Sequence, residues 1–458
     1  MTQFQAQLKK KNLMLTAQQL VIYKQSKVLQ ATDETSHYYY LFFYKNDFLT
    51  GIQADDIDTD THVHRAFTDG LYFEGSHPLT KQLIRAYNNF HFLPIEKIYK
   101  KVQETSSYSQ LETALINTYF DAFSSTESIH TVLKDTFNHY QRKGQSLAAY
   151  QLLNIYLNYD HTNTFARDMI NGAQFKNYEK IYQDLEKLSE KDPIQLESLC
   201  FDNLYNTEHT MMLLHLYKEQ KRWTDELALR IALLKSHFTP ENSTAIQAMV
   251  EPLPTDDQIT LLQELNQFNN NPILQEALIT KLLASGKPND TLELMMTSKV
   301  QPKEEQLSKM ITHIEQADRT LLATYFTGGN YRLLELSTNN SQTLERLAIP
   351  FVSSFLQDYN LNEILDWFQP FHDANLHLPV EQKLLRMQSL VDDPDRQFDL
   401  GELYMYFRQL EKALDCFKWE VELDPQAHSS VKYVAKIYQE LGYPDEAAAY
   451  QQLLQMQK

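Results

Sequence analysis

Glycine is scarce in this chain of 458 residues, which contains ten of them. That share is roughly 2%, against about 7% in average proteins. Tight turns, β-bulges and phosphate-binding loops depend on glycine, so the shortage disfavours β-sandwiches, β-barrels and Gly-rich phosphate sites. Long windows rich in Leu, Gln, Glu, Lys and Ala favour helix instead. The composition therefore predicts a mainly α protein, with helix in well over half of its residues.

Cysteine is also rare, because the chain has only Cys200 and Cys416. The two lie far apart in apolar helical patterns and have no CxxC partner, so neither a disulfide framework nor a zinc site is indicated. Both are predicted to be buried, small hydrophobic residues in a reducing compartment.

Long apolar runs are missing as well. No stretch approaches about 18 consecutive apolar residues, the length that spans a membrane as a helix. Residues 1–23 include basic residues but have no uninterrupted apolar core and no small-residue cleavage pattern, so they do not resemble a signal peptide. We therefore expect a cytoplasmic protein that does not associate with membranes.

Positive charge is in deficit, since 42 Lys and Arg face 60 Asp and Glu and the formal net charge is −18 at pH 7. The two signs are interspersed rather than blocked, which favours solubility and repels nucleic acid and anionic lipid. The predicted partners are therefore proteins or peptides, with no nucleic acid and no membrane. The sequence does not indicate an oligomeric state.

The N-terminal region differs from the rest of the chain. Three β-branched or aromatic runs, residues 19–24, 37–44 and 47–53, are separated by polar turns and predict strands. We predict a short antiparallel sheet with strands confined to about 17–55, inside an α+β region at 1–78. Because the second run is aromatic or aliphatic at nearly every position, both faces of that strand need cover.

From residue 79 onward, apolar residues recur at helical spacing. Leu111, Leu115, Tyr119 and Ala122, for example, form one apolar stripe. The prolines fall mostly between such stripes, where they separate helices rather than kink them. Short loops between the helices imply antiparallel helical hairpins stacked along an axis.

Residues 400–425 contain a more specific pattern. Its key positions are Leu400, Gly401, Tyr404, Ala413, Phe417 and Pro425. Their types and spacing match the tetratricopeptide repeat (TPR), a helix–turn–helix unit of about 34 residues, except that Gln397 stands at the tryptophan position. The small residues suit a close helix crossing, and the aromatic residues fill the space between hairpins. The segment therefore resembles the TPR family.

The same pattern recurs elsewhere in the chain. Tyr438 and Ala447 follow Tyr404 and Ala413 by 34 residues each, and Gly442 falls at the turn between the helices. Weaker copies upstream combine an anchor residue with a turn glycine: Tyr140 with Gly144, Leu282 with Gly286, and Tyr325 with Gly329.

A further segment at 213–234 carries Tyr217 and Trp223 but no glycine. The resemblance implies a right-handed α-solenoid of TPR-like hairpins behind the N-terminal region. Degenerate hairpins would occupy 79–390, and two TPR repeats would occupy 391–458.

The resemblance also implies a non-catalytic interaction scaffold that holds a peptide or partner helix in a concave groove. In the C-terminal repeats, the predicted partner-binding residues are Phe398, Glu402, Met405, Tyr406, Lys432, Lys436 and Gln439. This surface would suit a peptide with apolar anchors and some acidic character. Two alternatives stay open: Lys432 and Lys436 form a solvated face, and Phe398 packs under a neighbouring hairpin.

Other functions are compatible with the same architecture. One is a regulatory sensor, whose solenoid binds a small peptide or metabolite and controls a protein target. Another is an enzyme whose catalytic part is the N-terminal region, although no nucleophile–base pair is evident there. We predict that the chain is not an enzyme and needs no cofactor.

The best metal candidate in the sequence is the acidic segment 54–64, because aspartates alternate from Asp56 to Asp60 as at the start of a calcium loop. Thr61 then stands where such a loop needs glycine, and Phe67 where it needs a bidentate Glu. We interpret the segment as an ordinary acidic loop. The open alternative is a transition-metal site in which His62 and His64 join the aspartates.

The remaining polar candidates are histidines. His62 and His64 are predicted to lie in a solvated turn. His372, Asp373 and His377 suggest acid–base chemistry only if a nucleophile is nearby, and none is indicated. We therefore interpret 371–378 as a loop with two surface histidines.

Overall fold

A computed structural model describes residues 2–9, 11–299, 301–338, 340–424 and 426–456. About 67% of the residues are helical, which confirms the predicted mainly α class of helical hairpins with an N-terminal sheet. The chain divides into two compact units, Met1–Asn269 and Asn270–Lys458, called unit 1 and unit 2 below. The predicted boundaries after residues 78 and 390 both fall inside these units.

The described strands all lie in unit 1 and form one sheet: β1 (Gln3–Leu8), β2 (Lys11–Tyr23), β3 (Ser26–Thr32), β4 (Tyr38–Tyr44), β5 (Asp47–Gln53), β6 (Leu71–Glu74) and β7 (Phe90–Phe92). Neighbouring strands follow the order β5-β4-β3-β2-β1-β7 and are antiparallel, except for the parallel pair β1 and β7. Along one edge of β2, β1 pairs with the first half of the strand and β6 with the second half.

The predicted limits of the strands, residues 17–55, are wrong at both ends. β1 and the first residues of β2 precede this range, and β6 and β7 follow it. In β1 the buried side chains are Phe4 and Ala6, and in β7 they are Phe90 and Phe92. Strands this short or polar are stabilised by pairing with partners distant along the chain. Their own composition therefore does not reveal them.

Strand β4 is covered on both faces, as predicted. Phe42 packs on Phe120, with ring centroids 5.1 Å apart, whereas the next residue, Phe43, packs on Phe48 and Phe90. Successive residues of a strand point to opposite faces of the sheet. One face of β4 therefore meets a helical segment, and the other face meets aromatic residues of β5 and β7.

The sheet curls until its edge strands β5 and β7 come together. The hydroxyl of Thr50 in β5 donates to the carbonyl of Leu93 (2.9 Å) and accepts from the amide of Leu93 (2.8 Å), just after β7. The close approach requires Gly51, because a β-carbon there would lie 2.3 Å from the ring of Phe92.

The described helices of unit 1 are α1 (His62–Asp69), α2 (Pro78–Arg85), α3 (Ile95–Glu104), α4 (Gln110–Thr118), α5 (Thr126–Arg142), α6 (Ser146–Tyr159), α7 (Thr164–Ile170), α8 (Lys176–Tyr182), α9 (Leu185–Lys191), α10 (Pro193–Phe201), α11 (Thr207–Glu219), α12 (Trp223–Ser236), α13 (Pro240–Val250) and α14 (Thr255–Asn269). Those of unit 2 are α15 (Pro272–Ser285), α16 (Pro288–Thr297), α17 (Glu304–Gln316), α18 (Arg319–Thr324), α19 (Gly329–Ser337), α20 (Ser341–Asp358), α21 (Leu361–Asp366), α22 (Gln369–Asp373), α23 (Pro379–Leu390), α24 (Gln397–Tyr406), α25 (Leu410–Leu423), α26 (His428–Leu441) and α27 (Pro444–Met456).

Several hairpins in both units share one type of turn, in which a residue with positive φ follows the first helix. These residues are Gly144 (67°), Lys221 (53°), Gly286 (63°), Arg408 (54°) and Gly442 (82°). The next amide can then donate to a carbonyl five positions back, as Gln145 does to Tyr140 (3.0 Å) and Gln409 to Tyr404 (2.9 Å). This Schellman closure uses carbonyls that a helix end leaves unpaired.

Three of the four predicted turn glycines, Gly144, Gly286 and Gly442, are therefore confirmed. The fourth, Gly329, is wrong by one position. Gly328 has the positive φ (81°), and Gly329 is already the first residue of α19. Two adjacent glycines are equally able to take this conformation, so the sequence did not distinguish them.

The two C-terminal hairpins, α24 with α25 and α26 with α27, have the packing predicted for the repeats. Ala413 is fully buried, and a β-carbon on Gly401 would lie 2.8 Å from the ring of Phe417. Phe417 in turn stacks on Tyr433 of the next hairpin, with centroids 4.5 Å apart. These contacts confirm the close crossing and the aromatic filling. Pro425, the predicted closing residue, lies outside the described residues.

We expect Gly401→Val to destabilise unit 2 by about 1–3 kcal/mol, the usual cost of overpacking a well-filled core. The ring of Phe417 cannot move away freely, because it is fully buried and stacked. Hydrogen exchange of residues 397–423 under native conditions measures the effect. Adding Phe417→Leu removes the ring that the new methyl groups meet, so the double variant should lose less than the sum of the single variants. Additive losses would contradict the contact.

Candidate functional site

A wide candidate site lies in unit 1 on three consecutive helices. The described residues lining it are Leu204, Tyr205, Thr207, Thr210, Met211, Leu214, His215, Lys218, Arg230, Leu233, Ser236, His237, Thr239, Glu241, Asn242 and Ala245. We call this surface the α11–α13 groove. Its volume is about 790 Å³, which is within the size range of ligand-binding clefts.

Capping residues fix where the groove helices begin. The side chain of Asn206 accepts the amides of Glu208 and His209 at the start of α11, and Thr239 accepts the amide of Asn242 at the start of α13. Such caps satisfy amides that a helix leaves unpaired at its first turn. The positions of α11 and α13 along the groove therefore follow from local sequence.

One face of α11 forms the groove and another enters the core. Thr207, Met211 and Lys218 recur at spacings that place them on one side of the helix, whereas Leu213 and Leu216 are buried in the core of unit 1. The solvent-exposed face of a surface helix is usually polar. Here the outward face includes apolar residues as well.

Two large apolar side chains at the groove are exposed. The relative exposure of Tyr205 is 103% and that of Met211 is 60%. Tyr residues are enriched at the energetic centres of protein interfaces, and Met side chains adapt to varied partner surfaces. The groove therefore offers anchors for apolar side chains of a partner.

The charge of the groove contrasts with that of the whole chain. Lys218 is exposed and pairs with no carboxylate among the described residues, and Glu241 is the one acidic side chain in the described lining. Arg230 also lines the groove, but it bonds to Glu226 (2.9 Å) and to Asn242 (3.1 Å). In a protein of net charge −18, this surface is locally favourable for an acidic partner.

The beginning of α12 is held by a buried ion cluster. Arg222 bonds to Glu197 of α10 (2.7 Å) and to Asp225 (3.0 Å), and Lys27 of β3 lies 2.6 Å from Asp225. All four side chains are at most 1% exposed. The cluster joins the sheet to α10 and α12 and is closed to any substrate, so its role is structural.

The pKa values of this cluster follow from burial and pairing. Burial lowers the pKa of Lys27, and Asp225 opposes that shift. Burial by itself would raise the pKa of Asp225, but Arg222 and Lys27 together lower it. Asp225 is therefore ionised at neutral pH, and its negative charge stabilises the buried cations of Lys27 and Arg222.

The cysteines are not suited to nucleophilic chemistry. Both are buried, as predicted. Burial is the main cause that raises the pKa of Cys200 to about 12 and that of Cys416 to about 11. Reactive cysteines need a thiolate at neutral pH, so these two are inert packing residues.

In the acidic segment 54–64, the prediction of a solvated turn is wrong for His62. His64 is exposed, but His62 is buried at the first position of α1, where its ring stacks on Tyr119 at 4.3 Å and meets the hydroxyl of Ser26 at 2.9 Å. Burial, followed by the charges of Arg65 and Lys24, lowers the pKa of His62 to about 3. It is a neutral core residue, because the helix that begins there turns it inward.

The predicted partner-binding surface of the C-terminal repeats is only partly exposed. Its exposed members are Glu402, Tyr406, Lys432, Lys436 and Gln439. Phe398 and Met405 are half-buried and pack against the core of the two hairpins. Phe398 lies 5.5 Å from Phe417 and 5.9 Å from Tyr433 of the next hairpin, between ring centroids. The alternative reading of Phe398, packing under a neighbouring hairpin, therefore describes it better.

The exposed members of this surface meet different neighbours. The ring of Tyr406 lies 4.7 Å from the ammonium of Lys383 in α23, whereas Lys436 pairs with Glu440 of its own helix at 3.7 Å. Tyr433 donates to Glu402 at 3.1 Å.

The interpretation of 371–378 as a loop with two surface histidines is wrong for His372. This residue belongs to α22, and its Nε2 lies 2.7 Å from the carboxylate of Glu381, which is buried. His377 is exposed in the turn that follows. The short helix was missed because Pro370 sits at its first turn, where proline is tolerated.

The sequence did not point to the α11–α13 groove. The segment 213–234 was singled out for Tyr217 and Trp223, but it lacks the turn glycine that identifies the other hairpins. Lys221 takes the positive φ instead. The local sequence does not distinguish the exposed Tyr205 and Met211 from core residues, because exposure depends on which segments pack around a residue.

None of the described helices has the length and apolar character to cross a membrane. No family model matches the chain, and no curated protein matches it. Among solved structures, the chain is similar to MamA at 14% identity, over 48% of this chain and 94% of that one, with a TM-score of 0.14. A structure of Naa15/Naa10 bound to HypK-THB is similar at 11% identity over 79% and 60%, with a TM-score of 0.20.

A monomeric mutant of IFIT1 with Gppp-AAAA is similar at 13% identity, over 79% of this chain and 87% of that one, with a TM-score of 0.16. TM-scores this low support no argument about function. The functional proposal therefore depends on the residues of the chain itself.

Proposed function

We propose that this chain is a non-catalytic interaction scaffold that binds an amphipathic, acidic peptide segment of a partner protein in the α11–α13 groove. The observation that carries the proposal is that two exposed apolar residues, Tyr205 and Met211, line the same groove as Lys218, which pairs with no carboxylate among the described residues. Recognition would combine apolar anchors with charge complementarity.

Three features of the groove support a peptide rather than a small metabolite. The lining residues come from three consecutive helices, so a segment can lie across them. Two large apolar side chains, Tyr205 and Met211, are exposed rather than enclosed. Stacked helical hairpins commonly present extended surfaces of this kind to partner segments.

The groove also suits a peptide better than the C-terminal surface does. At the C-terminal surface, two of the three apolar anchors, Phe398 and Met405, are used in the packing of the hairpins themselves. Tyr406 remains exposed, together with Lys432 and Lys436. The C-terminal surface is therefore a second candidate peptide-binding surface, and the experiment below compares it directly with the groove.

The experiment selects binding peptides from a displayed library of random sequences on the full-length protein. Selected peptides should be enriched in Asp or Glu together with aromatic or aliphatic residues. Their affinities are then measured by fluorescence polarisation against the wild type and Met211→Glu. We expect the variant to bind at least about tenfold more weakly, because it puts a charge in an apolar anchor position and repels acidic peptides.

Two controls make the comparison specific. Ala248→Glu adds the same charge at an exposed position of α13 outside the groove, so it should leave affinity unchanged. The double variant Tyr406→Ala, Lys436→Glu tests the C-terminal surface. If this double variant weakens binding while Met211→Glu does not, the groove assignment is wrong. If no peptide is enriched, the scaffold proposal itself is wrong.

A further inference from the structure

A separate cluster of side chains lies in unit 2, where the chain passes from α22 to α23. His372, His377 and Glu381 offer two imidazoles and one carboxylate, and the donor atoms all lie within 4.8 Å of one another. We propose that these three residues bind one divalent transition-metal ion, of which Zn²⁺ is the best-suited example. The proposal is independent of the peptide groove.

The carboxylate of Glu381 has the property expected of a metal ligand. Its Oε1 is 2.7 Å from Nε2 of His372, but its Oε2 is buried and has no hydrogen-bond partner among the described residues. A buried carboxylate oxygen without a donor is costly, and such atoms in native proteins call for an explanation. A bound cation within reach of both His372 and Glu381 supplies the missing partner.

The backbone holds the three ligands close without help from an ion. The turn between the helices is closed by the amide of Leu376, which donates to the carbonyl of Phe371 at 2.8 Å, and Asn375 takes a left-handed φ of 57°. The first turn of α23 is fixed by Glu345, whose carboxylate accepts the amide of Val380 at 3.2 Å. The ligands therefore belong to one ordered segment.

The geometry needs small adjustments to accept the ion. In a tetrahedral zinc site with bonds of about 2.0–2.1 Å, the ligand atoms lie about 3.3 Å apart. The distance between Nε2 of His372 and Oε1 of Glu381 must increase by about 0.6 Å. A rotation of the His377 side chain must bring its ligand nitrogen closer to the other two ligand atoms by at most about 1.5 Å. The ring of His377 is free to do so, because it is exposed and its centroid is 5.2 Å from that of His372.

Two imidazoles and one carboxylate suit zinc and its neighbours in the first transition row better than calcium or magnesium, which prefer oxygen ligands. Three protein ligands leave the fourth position of a tetrahedral ion open. His377 also lines a cavity of about 530 Å³, which provides a path of entry and room for a water ligand.

Nearby cations do not block the site. Lys383 and Arg386 line the same cavity as His377, but each has another neighbour. The guanidinium of Arg386 lies 3.4 Å from Asp399, and the ammonium of Lys383 lies 4.7 Å from the ring centroid of Tyr406. Arg386 therefore interacts with Asp399, and Lys383 with the ring of Tyr406, rather than only with the proposed metal site.

The competing explanation is a plain hydrogen bond between His372 and Glu381. In that case His377 has no part in the cluster, and the protein has no preferred metal site there. The two explanations differ in the effect of replacing His377, which is exposed and whose loss should not impair folding.

The test is equilibrium dialysis of the full-length, chelator-treated protein against Zn²⁺ with a competing chelator in the buffer. We expect one tight site per chain. His377→Ala and Glu381→Gln should each weaken it at least about tenfold, because losing even a residue that supports a ligand typically costs about 10- to 100-fold in affinity. His428→Ala is the matched control, since it removes an exposed histidine of α26 from the same unit.

Co²⁺ provides a second readout that does not depend on affinity alone. Cobalt bound to the wild type should show the visible absorption of a tetrahedral nitrogen and oxygen site, and His377→Ala should lose it. The proposal is wrong if the Zn²⁺ affinity of the wild type is no higher than that of His377→Ala. It is equally wrong if His428→Ala weakens binding as much as His377→Ala.

Discussion

Replacing Asp225 by alanine is expected to lower the free energy of unfolding of unit 1 by about 3–5 kcal/mol, the usual cost of breaking a buried ion pair. The variant leaves two cations, Lys27 and Arg222, in a site that water does not reach. Arg222 keeps Glu197, but Lys27 loses its nearest carboxylate. An uncompensated buried charge is more costly than the loss of packing that accompanies it.

The measurement is hydrogen exchange of β3 and α12 under native conditions, together with urea denaturation of the full chain. Asp202→Ala is the matched control, because Asp202 pairs with Lys24 at 2.9 Å but is 54% exposed. Exposed pairs contribute about 0–1 kcal/mol. Equal losses of protection in the two variants would contradict a special role for the buried cluster.

The stabilising effect of Asp225 should also depend on pH in a defined direction. Its pKa in the folded protein is lowered from the ordinary value by Arg222 and Lys27, against the effect of burial. A lowered folded-state pKa adds stability that is fully present above the unfolded pKa, about 3.9, and is lost as pH falls through the folded value. The advantage of the wild type over Asp225→Ala should therefore be present at about pH 5 and shrink below about pH 4.

The C-terminal hairpins could be predicted closely because their pattern is local. Gly401, Ala413 and Phe417 lie within one helical hairpin, so their spacing along the chain fixes their contacts in space. The same holds for the turn glycines, where a positive φ is a local requirement. In a repeat of this kind, the residues that contact one another are only a few helical turns apart in sequence, so the local sequence predicts the packing.

The sheet and the candidate sites depend on distant residues and could be predicted only in part. β4 was evident from its own aromatic residues, but β1 and β7 are stabilised by pairing. Lys27 falls between the predicted strand runs 19–24 and 37–44, and its partner Asp225 comes nearly two hundred positions later. Similarly, His372 and His377 were noticed in the sequence, but the importance of Glu381 appears only once α23 is folded against them.

Replacing Ala413 by arginine should destabilise the C-terminal hairpins on the order of 4 kcal/mol, because a long charged side chain is forced into a closed crossing. Ala413 has no exposed surface and packs in a cluster with Phe417, Val434 and Ile437. The new guanidinium would find no carboxylate among the buried residues of this cluster. Repacking around it would open both hairpins.

The damage should stay local, because helical repeats interact mainly with their nearest neighbours. Hydrogen exchange and limited proteolysis should show lost protection over 397–456, while unit 1 keeps that of the wild type. Asp415→Arg introduces the same side chain two positions further along α25, where the residue is exposed, so it should leave the protection of the hairpins unchanged. Wild-type protection in Ala413→Arg would show that Ala413 does not occupy the crossing between α24 and α25.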